Sequence, residues 1–204
     1  GGAEPAGGST RNFLLETLRQ YAREQLDAAG GSDHWRRRHA EHYLAFARDV
    51  GPGLRGPDEI AWRTRLMEEF DNVRVAVNWG LDRDEAEDAL VAIRIVGAIS
   101  VEAAMRRGSG VGAWAVRALE RADLMDEVEL FDIRSGAVWD LYQRGDLVAA
   151  RDLSLEAIRD GIPPSPNNST SAHACAATSS VNLGDIETAM RVFEDGLVGV
   201  DAHP

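Results

Sequence analysis

The sequence predicts an all-α protein made of antiparallel helical hairpins stacked side by side. Apolar residues recur at steps of three and four along almost every segment, which is the spacing of one helix face. No segment alternates apolar and polar residues for long enough to indicate a β-strand. Two turn sequences, Gly145-Asp146 and Gly184-Asp185, recur with similar small residues behind them. This recurrence indicates that one hairpin unit is repeated.

The first third of the chain contains a linker and three predicted helices. Residues 1–9 predict a flexible linker or a cloning remnant, and residues 10–31 contain an apolar stripe that predicts a helix ended by two glycines. The next helix is expected to begin at Ser32 or Asp33 and to be stopped by the run Gly51-Pro52-Gly53. A long helix is then expected from near Pro57.

The rest of the chain continues the helical pattern. One helix is expected from near Asp84 towards Ala104, and a glycine cluster at positions 108, 110 and 112 is expected to interrupt the pattern. Further helices are predicted over residues 114–122, 128–143, 147–159, 171–183 and 186–198. The proline-rich residues 161–171 are expected to form a surface loop.

The two Gly-Asp turns share the same residue types at the same spacing. Glycine tolerates the turn between two helices, and aspartate caps the helix that follows. Ala150 and Ala189 each stand five residues after the turn glycine, where a small side chain lets two helices approach closely. The pattern is the second half of a tetratricopeptide repeat, whose usual period is about 34 residues. The turns here are 39 residues apart, with the surplus in the proline-rich loop, and residues 84–119 resemble a weaker copy. Residues 32–204 are therefore expected to form a tetratricopeptide-like right-handed superhelix.

Composition excludes several kinds of chemistry within this chain. The 22 basic residues are all arginine, so the lysines of a P-loop, a protein kinase or a Schiff-base enzyme are absent. The net charge of −12 argues against a domain that coats nucleic acid or an anionic membrane. The single cysteine, Cys175, is expected to be a buried apolar residue in a reducing compartment such as the cytoplasm. No apolar run is long enough to predict a membrane span.

The candidate binding surface follows from the repeat geometry. In tetratricopeptide arrays the first helix of each pair lines a concave groove. Placing Gly145 at the turn directs five side chains of the first helix towards that groove, and two equivalents follow in the next copy. These residues are Asp132, Ser135, Trp139, Tyr142 and Gln143, with Thr178 and Asn182 in the next copy. Aromatic side chains are typical interface anchors, although Trp139 and Tyr142 could equally pack between helices.

Other motifs admit weaker functional interpretations. The cluster His34, His39 and His42, beside Glu41, is the densest set of metal-ligand types, so a metal-assisted all-α enzyme is an alternative function. The run Arg36 to Arg38 could contact nucleic acid or an acidic partner, but a helix face paired with nearby carboxylates is the preferred interpretation. The run from Gly108 to Ala113 fits G-x-G-x-x-A, but without a preceding strand it indicates a turn. No catalytic residue, cofactor or metal site is predicted.

The segment FLLETLRQYAREQL at residues 13–26 resembles the end of the winged-helix part of bacterial signal-transducing predicted ATPases. Arg37-Arg38-His39-Ala40 and Glu69-Phe70-Asp71-Asn72-Val73-Arg74 are similar to stretches of the same family. Members occur in LuxR-type transcriptional regulators and are also fused to nucleotide cyclases. The resemblance assigns residues 10–31 to the end of the winged-helix segment and residues 32–204 to the tetratricopeptide-like region that follows it.

That resemblance implies a non-catalytic sensor or protein-interaction module that controls a larger regulator. The implied partners are another protein or other domains of the same parent chain, with a small-molecule inducer as a further candidate. Direct DNA binding by these residues and membrane association are not expected. The nucleotide-binding core that carries the family's catalytic residues has no counterpart in this sequence.

Overall fold

The computed structural model describes Gln25 and residues 32–161 and 171–201. In the last helix, side chains are described as far as Gly196. The chain divides into two compact units, Gly1–Arg36 and Arg37–Pro204. The linker and winged-helix predictions for residues 1–31 lie outside the described residues apart from Gln25.

The described residues form α-helices joined by short turns, with no β-strand among them. The prediction of an all-α protein is confirmed, whereas the tetratricopeptide-like superhelix stays a prediction. The elements in chain order are α1 (Ser32–Gly53), α2 (Glu59–Leu81), α3 (Ala86–Ala98), α4 (Val101–Met105), α5 (Val111–Ala118), a 3₁₀ segment (Leu119–Leu124), α6 (Glu127–Arg144), α7 (Leu147–Arg159), α8 (Ser171–Asn182) and α9 (Ile186–Asp201). Within this part of the chain no helix is long and apolar enough to cross a membrane.

The expected stop at Gly51-Pro52-Gly53 is confirmed, because α1 ends at Gly53, the last residue of the run. Pro52 lies in the last turn, where its missing N–H removes only one hydrogen bond. The glycines serve close packing: a Cβ at Gly51 would lie 2.6 Å from the carbonyl oxygen of Ala98, and one at Gly53 would overlap the ring of Trp62. The two glycines thus lie at the end of α1 and also at positions where a side chain would collide with neighbouring residues.

The expected continuous helix from Asp84 towards Ala104 was wrong. The helix breaks after Ala98, and the short α4 begins at Val101. Ser100 lies at the break, and its hydroxyl donates a 2.7 Å hydrogen bond to the carbonyl oxygen of Gly97. Serine thus competes for a backbone acceptor and favours the break. The next expected helix, over residues 114–122, also ends early, because α5 stops at Ala118 and gives way to the 3₁₀ segment.

The backbone conformation, helix cap and buried alanine predicted for the two turns are confirmed. Gly145 and Gly184 adopt left-handed backbone angles, with φ of 86° and 81°. Asp146 accepts a hydrogen bond from the Ala149 N–H at 3.2 Å, and Asp185 accepts one from the Thr188 N–H at 3.1 Å. The alanines five residues beyond each glycine, Ala150 and Ala189, are buried. Gly110 shares the left-handed glycine, with φ of 87°, and the buried Ala115 five residues further on, but Val111 stands where the two turns have aspartate.

The 39-residue register extends beyond the turns. In the first hairpin Arg134 of α6 pairs with Glu156 of α7 at 2.7 Å. The residues 39 positions later are His173 and Asp195, and the negative charge of Asp195 acts on the His173 imidazole. Burial is the larger influence there, so the pKa of His173 is lowered overall. The same two positions thus place a basic and an acidic group opposite each other in both hairpins.

The core is largest where α1 to α6 meet, and it includes Leu66, Ile93, Val96, Ile99 and Ile133, which have no exposed surface. Beyond α6, smaller clusters lie between successive helices, such as the one formed by Val138, Ala150 and Cys175. The predominance of small side chains at these later contacts brings α6, α7 and α8 close together. Helix α6 therefore contributes to both, with Ile133 in the larger core and Val138 in the cluster with α7 and α8.

Candidate functional site

Helix α6 carries most of the predicted binding residues, and it begins with a well-defined cap. The Asp126 side chain accepts from the Glu129 N–H at 2.8 Å, and the Glu129 carboxylate accepts from the Asp126 N–H at 3.1 Å. This reciprocal capping box fixes where the helix starts. With the start at Glu127 and the turn at Gly145 both fixed, the direction of every side chain along α6 is set.

One face of α6 contacts the elements that precede it. The Gln143 amide donates a 2.7 Å hydrogen bond to the carbonyl oxygen of Ala103, and a Cβ at Gly112 would lie 2.7 Å from the Cβ of Asp140. Gln143, predicted to point into the groove, is thus half-buried and tied to α4. The hydrogen bond of its amide holds α6 against α4.

Trp139 and Ser135 face α8. The Trp139 indole N–H donates to the Ser171 hydroxyl at 2.7 Å, and the Ser171 hydroxyl donates to the Ser135 carbonyl oxygen at 3.5 Å. Ser135 is only 1 % exposed, while Trp139 is half-buried and forms an edge-on contact with Tyr142. Trp139 therefore packs between helices, which is the alternative that the sequence left open for it.

Tyr142, Thr178 and Asn182 come together across the two hairpins. The Asn182 amide donates to the Tyr142 hydroxyl at 3.3 Å and to the Thr178 carbonyl oxygen at 2.8 Å. Asn182 is exposed, and Tyr142 and Thr178 are half-buried. The structure thus places Tyr142, Thr178 and Asn182 close together, with the Tyr142 hydroxyl and the Asn182 amide bonded to each other and the Thr178 hydroxyl bonded to the Ala174 carbonyl oxygen. We call these three residues the polar edge.

Asp132 lies apart from the polar edge, in a cavity of about 190 Å³ formed by α1, α3 and α6. It is 5 % exposed, and it is the deepest charged group among the lining residues. The other residues that line the cavity are Arg48, Ile93, Arg94, Gly97, Ala98 and Glu129. Arg94 pairs with Glu129 through a 2.6 Å contact between Nε and Oε1. We call this cavity the Asp132 cavity.

The sequence did not identify Arg48, Arg94 or Gly97 as neighbours of Asp132. Arg48 lies on α1, Arg94 and Gly97 lie on α3, and no local motif links these helices to Asp132 on α6. A partial signal existed in Asp132 itself, because a carboxylate on the inward side of an amphipathic helix needs a polar environment.

The histidine cluster shows packing roles where it is described in the second unit. His39 and His42 both contact the ring of Tyr43, with centroid distances of 4.8 Å and 5.0 Å. Burial lowers the pKa of His39, and the neighbouring His42 lowers it further. Across the residues that the structure describes, no three His, Cys, Asp or Glu side chains are grouped so that they could hold a metal ion.

The arginine run is paired with carboxylates, as the preferred interpretation predicted. Arg36 lies 3.7 Å from Asp33 within the first unit. In the second unit the Arg37 guanidinium lies 2.7 Å from the buried Asp88 and 3.4 Å from Glu87. The hydrogen bond and charge of Asp88 raise the pKa of Arg37. A guanidinium committed to a buried carboxylate is poorly placed to bind a phosphate.

Cys175 is fully buried, as the sequence predicted. Its thiol lies 3.5 Å from the carbonyl oxygen of Val138 and 3.8 Å from the hydroxyl of Ser179. Burial raises the pKa of this thiol, so the thiolate that would act as a nucleophile is disfavoured. The G-x-G-x-x-A run is likewise structural, because Gly108 and Gly110 form the left-handed turn between α4 and α5.

Comparison with known proteins gives a partial relationship. The chain is 34 % identical over 88 residues, which is 43 % of its length, to a protein of Mycobacterium bovis and to proteins of two Mycobacterium tuberculosis strains. Each carries the name "Putative HTH-type transcriptional regulator". The matched segment spans 10 % of the length of these relatives. No protein-family model matches the chain. No solved structure is significantly similar to it.

The similarity places the chain in the context of transcriptional regulators. Its described polar residues are held by hydrogen bonds and ion pairs within the fold, and they define two surface features. These features are the polar edge and the Asp132 cavity.

Proposed function

We propose that this chain is a non-catalytic sensor and protein-interaction module of a larger HTH-type transcriptional regulator. Similarity to the mycobacterial regulators supports the regulatory context. Within that context we assign the chain to the helical region of a signal-transducing ATPase of the LuxR-associated type, acting in the cytoplasm. The parent protein then supplies the nucleotide chemistry and the DNA contacts, and this chain supplies recognition.

The observation that carries the proposal is the polar edge. Tyr142 belongs to one hairpin and Asn182 to the next, and the Asn182 amide donates to the Tyr142 hydroxyl across them while it also donates to the Thr178 carbonyl oxygen within α8. Side chains from successive repeats that meet on one face are typical of the binding surfaces of helical-repeat proteins. Tyrosine adds contact area with little loss of rotational freedom on binding. We therefore assign the partner-binding surface to the polar edge and the neighbouring first helices.

Regulation by such a surface requires a difference in affinity. A partner that binds equally well to two states of the parent protein shifts neither state. We propose that the partner, either another protein or another domain of the parent chain, prefers one arrangement of the helical stack. The bound arrangement then favours one state of the attached ATPase core.

Quantitative co-purification with matched charge variants tests the proposal. Asn182→Arg places a long cation in the polar edge, whereas Glu194→Arg introduces the same residue on the exposed part of α9. Both positions are exposed, so both variants should fold with circular dichroism and unfolding midpoints close to those of the unmodified chain. We expect Asn182→Arg to lose at least one specific partner at equal bait concentration and Glu194→Arg to retain it. Equal capture by the two variants, or no partner saturable at micromolar concentration, would refute the assignment.

A further inference from the structure

Helix α9 exposes an apolar stripe on one face. Ile186, Met190 and Phe193 recur at steps of four and three, so they share a helix face, and they are 55 %, 58 % and 51 % exposed. Val192, on a different face of the helix, is buried against α8. Among the described residues, five of the ten exposed large apolar side chains lie within positions 181–193. Such a concentration indicates a surface that another molecule covers, and we call Ile186, Met190 and Phe193 the α9 stripe.

The 39-residue register shows what covers the same face in the preceding hairpin. Leu147, Arg151 and Ser154 of α7 stand 39 positions before the three residues of the α9 stripe. Ser154 is fully buried, and its hydroxyl interacts with the thiol of Cys175 on α8. Leu147 and Arg151 are also less exposed than their counterparts on α9. Because α8 covers this face of α7, the equivalent face of α9 has the geometry to receive a further helix.

The spacing of the α9 stripe specifies the apolar pattern of a helix that could cover it. Steps of four and three are the spacing of a coiled-coil seam, in which the side chains of one helix insert between those of another. A facing helix must therefore carry apolar residues at the same spacing. The opposite face of that helix remains in water and is polar, so the helix is amphipathic.

The charges beside the α9 stripe specify the charge of its partner. Glu187 and Glu194 each directly follow a stripe residue, at a flanking position of the seam, and both are exposed. Neither has an ion-pair partner among the side chains that the structure describes. Arg191 lies further around the helix and acts on the carboxylate of Asp185. A second copy would bring like flanks and two net charges of −12 together, whereas a basic helix complements the flank.

We propose that the α9 stripe binds a basic amphipathic α-helix of a separate protein. The apolar residues of that helix pack on the stripe, and its arginine or lysine side chains pair with Glu187 and Glu194. Apolar burial supplies the affinity, and the acidic flank selects against acidic helices. The α9 stripe lies on the second helix of its hairpin, whereas the polar edge is formed by first helices. The inference therefore goes beyond the proposed function and does not depend on it.

Fluorescence anisotropy with three designed peptides tests the proposal on the complete 204-residue chain. Each peptide is three heptads long: the first has leucine in the seam and arginine at the flanks, the second has glutamate at the flanks, and the third contains the residues of the first in an order without a seam. We expect the first peptide to bind at least about tenfold more tightly than either of the others. Equal binding of the first and third peptides, or of the first and second, would overturn the proposal.

A double variant locates the binding surface. Met190→Gln with Phe193→Ser makes the α9 stripe polar, and the fold should be retained because both side chains are more than half exposed. Met105→Gln with Val148→Ser is the matched control, since these exposed side chains lie on α4 and α7. We expect the stripe variant to bind the basic peptide no more tightly than the reordered one, and the control to bind it normally. Unchanged binding in the stripe variant, or an equal loss in the control, would contradict the inference.

Two single variants separate this proposal from the polar edge. Glu194→Arg reverses one flanking charge and should weaken binding of the basic peptide severalfold, while the polar-edge partner is retained. Asn182→Arg should have the opposite effects, so failure of either proposal is visible separately. Sedimentation velocity of the chain alone should show a monomer at micromolar concentration. A dimer that dissociates in the stripe variant would assign the α9 stripe to a second copy and overturn the proposal.

Discussion

Replacing Gly145 with alanine tests the turn on which the repeat depends. Gly145 has φ of 86°, and a Cβ added there would meet no heavy atom within 4 Å. Steric contact with the rest of the protein therefore contributes nothing, and the whole cost comes from the left-handed backbone. That cost is about 1–2 kcal/mol for an L-residue with a side chain. For a domain of this size we expect the Tm to fall by about 2–8 °C, since each kcal/mol shifts it by roughly 2–4 °C.

The matched control is Gly97→Ala, the same chemical change at a helical position. Gly97 lies inside α3, where alanine is favoured over glycine by up to about 1 kcal/mol. The two variants should therefore shift the urea unfolding midpoint in opposite directions at unchanged m-value. If Gly145→Ala is neutral or stabilising, the left-handed turn between α6 and α7 is not present, and the explanation of the repeat fails.

Three further predictions concern buried titratable groups. Burial lowers the pKa of His39 and His173, so the unfolded chain binds more protons than the folded chain. The free energy of unfolding should therefore be highest above the unfolded pKa of about 6.5 and should fall as the pH drops below it. Urea unfolding at neutral and mildly acidic pH measures this fall, which should be smaller in His173→Gln. Arg63→Met leaves the fully buried Glu102 without its partner at 3.0 Å and should cost about 3 kcal/mol in urea unfolding, whereas the double variant with Glu102→Leu should recover most of that loss. Cys175 should react with a thiol reagent only as the chain unfolds, and rapid reaction in the native state would contradict its burial.

The features that were predictable from sequence are those that local residues determine. Gly145 and Asp146 act on the backbone within a few residues of themselves, so the left-handed turn and the helix cap follow from their identities. Ala150 is small at the position where the paired helix comes closest, and it is buried as expected. The helix from Leu147 to Arg159 was predicted with the bounds that the structure shows.

The features that were not predictable depend on contacts between distant parts of the chain. Gly51 and Pro52 predict the end of α1, but nothing in that run predicts the close approach of Ala98 to Gly51. Trp139 could have pointed into a groove or between helices, and its hydrogen bond to Ser171 on α8 decides for packing. The same limit applies to the Asp132 cavity, because no local pattern places helices α1 and α3 beside α6.

Hydrogen–deuterium exchange of the chain, alone and in complex with a partner captured through the Asn182-dependent assay, tests the central claim most directly. The account predicts that binding slows exchange in the first helices, at residues 135–143 of α6 and 176–182 of α8, and leaves the exposed face of α7 unchanged. Protection confined to α7 and α9, or none within α6 and α8, would show that the partner does not bind at the polar edge.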